Sequence, residues 1–527
     1  MYIARRKKQP ARSMTMGQPV SGWDTRSSQA DMILVNPRGA GLLDNFFPET
    51  EKVTLRPGSA SHATGLGGQV QTLMDYTKTD GTNELYGCAN GKIFDVSSSG
   101  AVGSAKVSSM TNNKWQHVNF GTSGGQFLLA FNGEDTPRTY NGLAWSTFGA
   151  TGPTVANLIW CNVNNRRLFF GEKDSLSFWY LAVNAITGTA SEFPLHGVFS
   201  KGGFIMAMGT WTHDSGSGSN DSAIFITSEG EVAVYSGIDP ATAADWLLVG
   251  VFTIGRPIGR RCLIKSGADL IIITEDGFVP VSQVLQADRS QAEIVAISNQ
   301  INDAVNEVVT LYSDLFGWQS IIYNKGQMII FNIPIIDPAG EENYESHQYV
   351  FNTLTGAPCR FKNMGGDGDA VCWGVKGNQI YFGKTDGTVW EFDKDKQYSD
   401  GGTAIVGDMN PAFNYFGTPH RTKSFKMVEP VWESVLDPNP TVDMTTNFQI
   451  RPPRGITQAA TSATPGGLWG SAKWGIGTWG SEGQIYRGWR GVRGKGRSGS
   501  VRIRVSTSTV RPSLISTNFV YTIGGYL

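Results

Sequence analysis

The chain has 527 residues, about three to four times the length of a typical single domain, so several structural units or one large repeat architecture are expected. Only 17% of the residues are charged and the net charge is -1, whereas 40% are hydrophobic and 65 are glycines, which excludes global disorder and indicates many turns between short strands. The longest apolar runs, such as residues 270–273, are far shorter than the roughly 18 residues of a membrane-spanning helix, so no such helix is expected.

The N-terminal segment, residues 1–50, lacks repeats and is predicted to form an extended arm. Residues 1–30 contain six basic residues against Asp24, and the four at positions 5–8 follow one another directly. This charge resembles the start of a signal peptide, but residues 9–20 supply no apolar region behind it. Sec export is therefore not expected.

Within the predicted propeller segment, residues 51–435, a hairpin pattern recurs between about residues 69 and 395, in which short apolar segments flank a turn with Asn, Asp or Glu before Gly. The clearest copies are residues 85–96, 224–235, 270–281 and 380–392, and looser ones lie at Asn141-Gly142, 168–180 and Thr355-Gly356. One strong hairpin in every 40 to 50 residues, roughly, is typical of a propeller blade. The sequence therefore predicts an all-β fold with a β-propeller of about seven blades, six to eight being possible. A parallel α/β fold is disfavoured, because segments with helical periodicity do not alternate with the strands.

One helix is predicted within the propeller, over about residues 290–311. Ser290 and Glu293 form a capping box, and apolar residues follow at helical spacing. These are Ile294, Ile297, Ile301, Val305 and Val308. The helix is interpreted as an insertion packed on a blade, with a helix that docks a partner as the alternative.

The C-terminal segment, residues 436–527, is predicted to form a small Gly- and Trp-rich β module. Prolines at the start indicate a linker, Trp-Gly pairs recur at positions 469, 474 and 479, and residues 501–505 alternate apolar and basic side chains as a strand does. The Trp-Gly pairs could form glycan platforms, although tryptophans that fill a core at strand ends are more common.

Three glycine-containing segments match known motifs, and all three are interpreted as structural. Residues 121–125 match a nucleophile elbow, but a strand follows instead of a helix, so a hairpin turn is expected. Residues 494–499 match a dinucleotide-binding fingerprint without a following helix, which indicates a flexible basic loop. Residues 385–390 partly resemble the Asp-box turn of sialidase-like propellers, which shapes a hairpin.

No active site, metal site or cofactor is predicted. The six histidines lack metal-ligand spacing, the five cysteines are widely spaced without a CxxC pair, and no carboxylate pair at glycosidase spacing can be identified. The protein is expected to be no enzyme and to fold in a reducing cytoplasm.

Two basic clusters are candidate contact sites. For Arg256, Arg260 and Arg261, ion pairs between blades or subunits are favoured over phosphate contact, with the acidic segment 211–250 as the expected partner. The cluster at 487–504, in which Trp489 is interleaved, fits phosphate contact with base stacking, a solvated loop or a lipid head-group contact.

Several segments resemble the tail nozzle proteins of short-tailed phages, the class of tail tubular protein B and packaged-DNA stabilisation. LDNFFP at residues 43–48 and LRPG at 55–58 are similar to the N-terminal signature of that class. Residues 230–240, 246–261 and 269–282 are similar to its most distinctive propeller segment, and the Trp-Gly region and residues 521–525 are similar too.

The resemblance implies a virion protein, made in the host cytoplasm, that forms a homo-hexameric ring below the portal and the ring-shaped tail adaptor. Such a ring would continue the DNA channel, contact tail fibres or spikes and hold the double-stranded genome until ejection. Because each neutralised phosphate adds affinity, its lumen is expected to carry few unpaired Arg or Lys residues and some carboxylates. The competing hypothesis is a propeller that binds or cleaves glycans at the cell surface.

These hypotheses name two sets of candidate residues. The candidates for assembly or DNA contact are Arg256, Arg260, Arg261, Arg487, Arg490, Arg493, Lys495 and Arg497. The candidates for docking of the arm on the adaptor or on neighbouring subunits are Arg5, Arg6, Lys7, Lys8, Phe46 and Phe47.

Overall fold

The structure, a computed structural model, describes residues 10–214, 219–284, 296–336, 344–451 and 484–526. The chain divides into two compact units. Unit 1 contains Met1–Ser59, Tyr349–Gly366 and Lys394–Leu527, and unit 2 contains Ala60–Gln348 and Asp367–Asp393. These units are drawn differently from the predicted segments 1–50, 51–435 and 436–527, because unit 1 is assembled from stretches that are far apart in the chain.

The N-terminal 64 residues contribute short strands and one helical turn. They are β1 (Arg12–Gly17), β2 (Gly22–Trp23), α1 (Met32–Val35), β3 (Gly39–Asp44), β4 (Phe46–Pro48), β5 (Val53–Leu55) and β6 (Ser59–Thr64).

Unit 2 is built from successive antiparallel sheets. The first three sheets and the short strands near them are β7 (Thr72–Thr77), β8 (Asn83–Ala89), β9 (Lys92–Asp95) and β10 (Gly100–Ala101); β11 (Gln116–Thr122), β12 (Gly125–Phe131), β13 (Arg138–Tyr140), β14 (Trp145–Thr147) and β15 (Ala150–Thr151); β16 (Leu158–Asn164), β17 (Arg167–Glu172), β18 (Ser177–Tyr180), β19 (Gly188–Thr189) and β20 (Ser191–Pro194).

The remaining elements up to residue 392 are β21 (Ile205–Asp214), β22 (Ser219–Thr227), β23 (Glu231–Ser236) and β24 (Leu247–Thr253); β25 (Leu263–Ser266), β26 (Asp269–Thr274), β27 (Gly277–Pro280) and α2 (Val281–Val284); α3 (Asn302–Tyr312), β28 (Gln319–Tyr323), β29 (Met328–Ile336) and β30 (Tyr344–Asn352); β31 (Pro358–Phe361), which belongs to unit 1; and β32 (Ala370–Lys376), β33 (Gln379–Lys384) and β34 (Val389–Phe392). Single 3-10 turns are Val155–Asn157, Asn299–Ile301 and Met364–Gly366.

Unit 2 is a β-propeller. Within the described residues it has seven sheets of three or four strands, besides the short pair β15–β19, and the first strand of each of the seven contacts the first strand of the next. These strands are β7, β11, β16, β21, β25, β28 and β32. The ring closes because β32 contacts β7, and Leu73 and Cys372 share one buried apolar cluster. Each sheet buries its faces against its neighbours, which an isolated hairpin cannot do.

The predicted hairpins form at their local turn signals. Asn90 and Gly91 have φ of 50° and 64°, the left-handed conformation that a tight two-residue hairpin requires, between β8 and β9. Residues 121–125 form the β11–β12 turn, as predicted. In the Asp-box-like turn, the Asp386 carboxylate accepts hydrogen bonds from the Thr388 amide and hydroxyl, at 2.9 and 2.6 Å, and thereby shapes the β33–β34 hairpin.

Within the described residues, the helix predicted over residues 290–311 is not continuous. Residues 296–298 are not helical, because the Ile297 amide donates to the Phe278 carbonyl and the Phe278 amide donates to Ser298 Oγ, which fixes this segment against β27. A 3-10 turn and α3 follow, and the predicted capping box lies outside the described residues. Val305 and Val308 are buried and α3 contacts β29, so the helix packs on its own unit.

Unit 1 consists of two groups of paired strands. Its C-terminal strands are β35 (Ser399–Asp400), β36 (Thr403–Pro411), β37 (Arg421–Ser434), β38 (Thr441–Thr446), β39 (Gln484–Tyr486), β40 (Arg490–Gly496), β41 (Gly499–Thr507) and β42 (Ser513–Tyr526). One group joins β1, β4, β5, β37, β39, β40 and β42, and the other joins β2, β3, β31, β35, β36, β38 and β41.

The two strand groups pack closely at glycines. A Cβ atom on Gly407 would lie 2.6 Å from the Phe46 ring, and one on Gly499 would lie 2.5 Å from the Phe425 ring. The arm is extended over β1, which pairs antiparallel with β42 from Arg12–Tyr521 to Gly17–Ser516.

Candidate functional site

Arg256, Arg260 and Arg261 occupy different surroundings. The Arg256 guanidinium is 60% exposed and lies 2.8 Å from the Glu229 carboxylate, which belongs to the acidic segment 211–250. It therefore links the segment before β25 to the β22–β23 turn. An ion pair this exposed contributes less than about 1 kcal/mol.

The central cavity of the propeller, about 240 Å³, is lined by Arg260 and Arg261 and by residues of the first strands. Arg261 donates to the Gln71 and Trp115 carbonyls, both at 3.0 Å, and to Thr72 Oγ1 at 2.6 Å. Its guanidinium lies 5.1 Å from the centre of the Phe316 ring. Arg261 thus connects separate sheets through hydrogen bonds to neutral acceptors, whereas the predicted partners of this cluster were carboxylates.

The predicted basic loop at 494–499 is wrong: β40 runs to Gly496, β41 begins at Gly499, and only Arg497 and the buried Ser498 connect these two strands, which belong to different sheets. Glycines allow this because a Cβ on Gly496 would lie 2.8 Å from Thr446 Cβ, and one on Gly494 would lie 3.0 Å from Met444 Cγ. These glycines serve close packing.

Three cations lie on the paired strands β40 and β37, and we call Lys426, Arg493 and Lys495 the cationic face. Arg493 and Lys495 are exposed at alternate positions of β40, with Val492 buried between the strands. Lys426 is exposed at a bulge of β37, next to the pairing of Phe425 with Gly494. Among the described residues, none of the three side chains has a hydrogen-bond or ion-pair partner.

A groove of about 970 Å³ adjoins the cationic face. Two of the three cations, Lys426 and Arg493, line it together with Arg451 and Asp443. The groove therefore presents more positive than negative charge.

The other cations of the predicted 487–497 cluster differ in their exposure to solvent. Arg490 is half-buried, burial lowers the pKa of its guanidinium, and Nη2 donates to Asn439 Oδ1 at 3.3 Å. Arg487 and Arg497 are exposed. Trp489 is 41% exposed, so an aromatic surface lies close in sequence to these cations.

The predicted docking residues of the arm divide into two groups. Arg5, Arg6, Lys7 and Lys8 lie outside the described residues. Phe46 and Phe47 are buried inside unit 1, where the Phe46 ring stacks 6.3 Å from Trp432. The assignment of Phe46 and Phe47 to docking is therefore corrected, because their side chains fill the core of their own unit.

The segment that carries the family resemblance holds a buried polar network that sequence reasoning missed. Arg56 is 1% exposed and donates to both Asp400 carboxylate oxygens, at 3.2 and 2.5 Å, and to Asn45 Oδ1 at 2.9 Å. Arg360 forms a bidentate pair with Asp44, at 2.7 and 3.0 Å. The signature residues therefore hold unit 1 together.

Lys423 is a second buried cation that the sequence did not reveal. It is inaccessible to solvent, and Nζ donates to the Thr418 carbonyl and, at 2.6 Å, to the Arg497 carbonyl, which fixes the β40–β41 turn. Burial without a carboxylate lowers the pKa of Lys423 to about 8.

The stability of Lys423→Met relative to the wild type should depend on pH. Between about pH 8 and 10.5 the unfolded lysine holds a proton that the folded one has released, so folding is favoured as pH rises and a penalty on the order of 3 kcal/mol disappears. Lys423→Met removes this contribution. Urea denaturation at pH 7 and pH 10 should show the free energy of unfolding of the wild type rising relative to the variant; a constant difference would contradict the lowered pKa.

The described residues hold no group of three or more His, Cys, Asp or Glu side chains that could bind a metal ion. All five cysteines are free, and burial raises the pKa of the Cys262 and Cys372 thiols to about 12. In the described part of the chain, no helix has the length and apolar character needed to cross a bilayer.

Comparisons with known proteins find similarity in structure but not in sequence. No protein-family model and no curated protein matches the sequence. Among solved structures, the designed Ika8 protein is 11% identical with a TM-score of 0.37, over 63% of this chain and 99% of its own. BBS1N, solved in complex with ARL6DN, is 10% identical with a TM-score of 0.39, over 65% and 99%. The Cps50 (Swd1) β-propeller domain of Myceliophteria thermophila is 10% identical with a TM-score of 0.37, over 64% and 99%. At these scores the likenesses add nothing on function.

Proposed function

We propose that this protein is a structural virion protein without enzymatic activity, which forms the distal nozzle of a short phage tail. In this proposal six copies form a ring below the tail adaptor, continue the DNA channel, retain the packaged genome and conduct it at ejection. Tail fibres or spikes attach to the same ring.

The cationic face is the observation that carries the proposal. Lys426, Arg493 and Lys495 are exposed and unpaired among the described residues, and β-pairing holds their backbone in place. Side chains two positions apart on a strand lie roughly 7 Å apart, so Arg493 and Lys495 can contact separate phosphates. Contacts of this kind bind the DNA backbone whatever its sequence.

The small number of cations suits a conduit better than a tight DNA-binding protein. Each neutralised phosphate adds affinity, and six subunits multiply the effect. Three cations in each copy, with Asp443 in the adjoining groove, give a weak contact that slows DNA without trapping it.

The family resemblance adds support because its N-terminal signature coincides with structural residues. Asp44 and Arg56 are engaged in buried or half-buried pairs within unit 1. A signature made of pairs that hold a β framework suits a wall protein, whose function depends on shape.

Removing the three charges should weaken DNA binding and its salt dependence. For a 20-base-pair duplex, the logarithm of the association constant falls as the logarithm of the salt concentration rises. In the variant Lys426→Gln/Arg493→Gln/Lys495→Gln, we expect this negative slope to become shallower by up to about 3. Fluorescence anisotropy from low to physiological salt measures this slope. Arg256→Gln is the matched control, because its cation is already paired with Glu229. Equal slopes for wild type and triple variant would contradict a phosphate contact at this face.

A further inference from the structure

The last strand of the fourth propeller sheet exposes an unusual row of aliphatic side chains. Leu247, Leu248, Val249 and Val251 of β24 are 56, 45, 62 and 38% exposed, and Ile238 in the preceding loop is 58% exposed. We call these five residues the apolar edge. Several large apolar side chains exposed along one edge strand mark a candidate interaction site.

No described strand pairs with the outer side of β24, which ends the sheet after β21, β22 and β23. Soluble proteins normally protect such an edge with lysine, proline or a covering segment. Residues 247–253 contain no charged residue and no proline, and the bulge at Val249 is the one protective feature. The apolar edge is therefore a candidate binding surface for another segment.

The charge around the edge restricts what that partner can be. Asp245 is exposed at the start of β24, and its carboxylate accepts the amides of Ile238 and Asp239 at 3.1 and 2.8 Å. Residues 211–250 contain six acidic residues and no Lys or Arg, and two of the six, Glu229 and Asp239, are paired with Arg256 and Arg167. A segment that is complementary to the apolar edge and to Asp245 therefore has a few apolar residues followed by basic ones.

Resting on the proposed ring assembly, we infer that the apolar edge binds the N-terminal residues 1–9 of a second copy of this chain. That segment reads MYIARRKKQ, with apolar residues first and four consecutive cations next. Apolar residues 1–4 match the aliphatic row, and residues 5–8 match the acidic end at Asp245. One copy gives the arm and the next gives the edge, which is the heterologous contact that a closed ring needs.

Two variants of the full chain test this contact. Arg5→Glu/Arg6→Glu reverses two charges of the N-terminal segment and leaves the apolar edge unchanged. Val249→Lys places a charge in the apolar edge and leaves the N-terminal segment unchanged. In sedimentation velocity over a concentration series, we expect wild type to associate, each variant alone to remain a single subunit, and their mixture to form a 1:1 dimer. Leu143→Lys, at a side chain that is 91% exposed elsewhere on the propeller, should associate like wild type.

The mixing experiment separates this inference from the proposed function, since it uses neither DNA nor adaptor. Circular dichroism shows whether each variant keeps the wild-type fold. An equimolar mixture of folded variants that stays as single subunits, or variants that associate like wild type, would overturn the inference and leave the DNA contact at the cationic face unaffected.

Discussion

Replacing Arg56 with alanine should lower the free energy of unfolding by about 3–5 kcal/mol. Arg56 and Asp400 are 1 and 3% exposed, so the substitution leaves a carboxylate buried without its counter-ion. It also removes the donor that holds the Lys362 and Asn363 carbonyls, at 3.3 and 3.2 Å. Chemical denaturation of the purified chain at pH 7 measures the loss.

Two further variants identify the cause of that loss. Arg256→Ala breaks an ion pair of the same type at a side chain that is 60% exposed, and it should cost less than about 1 kcal/mol. Arg56→Met/Asp400→Leu removes both buried charges and should recover part of the stability. If Arg56→Ala costs no more than Arg256→Ala, the buried network does not hold unit 1 together.

Phe178→Ala should destabilise the propeller by about 3–5 kcal/mol. The Phe178 ring is buried in β18 and stacks on Phe225 of the next sheet, with 4.5 Å between centroids and 13° between planes. It also stacks on Phe193 at 5.0 Å. Its removal opens a cavity between the third and fourth sheets, where burial of both faces stabilises the ring.

Thermal and urea denaturation compare this variant with two others. Phe178→Leu retains most of the volume and should cost clearly less. Leu143→Ala changes a side chain that is 91% exposed and should leave stability within about 0.5 kcal/mol of wild type. A cost below about 1 kcal/mol for Phe178→Ala would show that the aromatic stack between the sheets is not a main source of stability.

The propeller could be predicted because its signals are local. Turn pairs such as Asn90-Gly91 impose a backbone conformation within two residues, and each apolar segment beside them identifies a strand. Repetition of that unit predicts sheets that bury one another. The predicted helix does not run through residues 296–298, because the bond from the Phe278 amide to Ser298 Oγ is a tertiary contact, which overrides the local helical spacing.

Unit 1 could not be predicted in the same way. Arg56 and Asp400 are separated by 344 positions, and β1 pairs with β42 from opposite ends of the described chain. Single-sequence patterns carry no information on such pairs. Gly494 and Gly496 favoured a loop by composition, whereas packing against Met444 and Thr446 requires them in a strand. The sequence therefore identified the charges of Arg493 and Lys495 but not the strand that holds them.

Electron microscopy of the purified chain mixed with the ring-shaped tail adaptor tests the central proposal most directly. The proposal predicts closed six-fold rings on the adaptor, with the propellers arranged around an open channel. Particles that show bare adaptor rings beside single copies of the chain would contradict it.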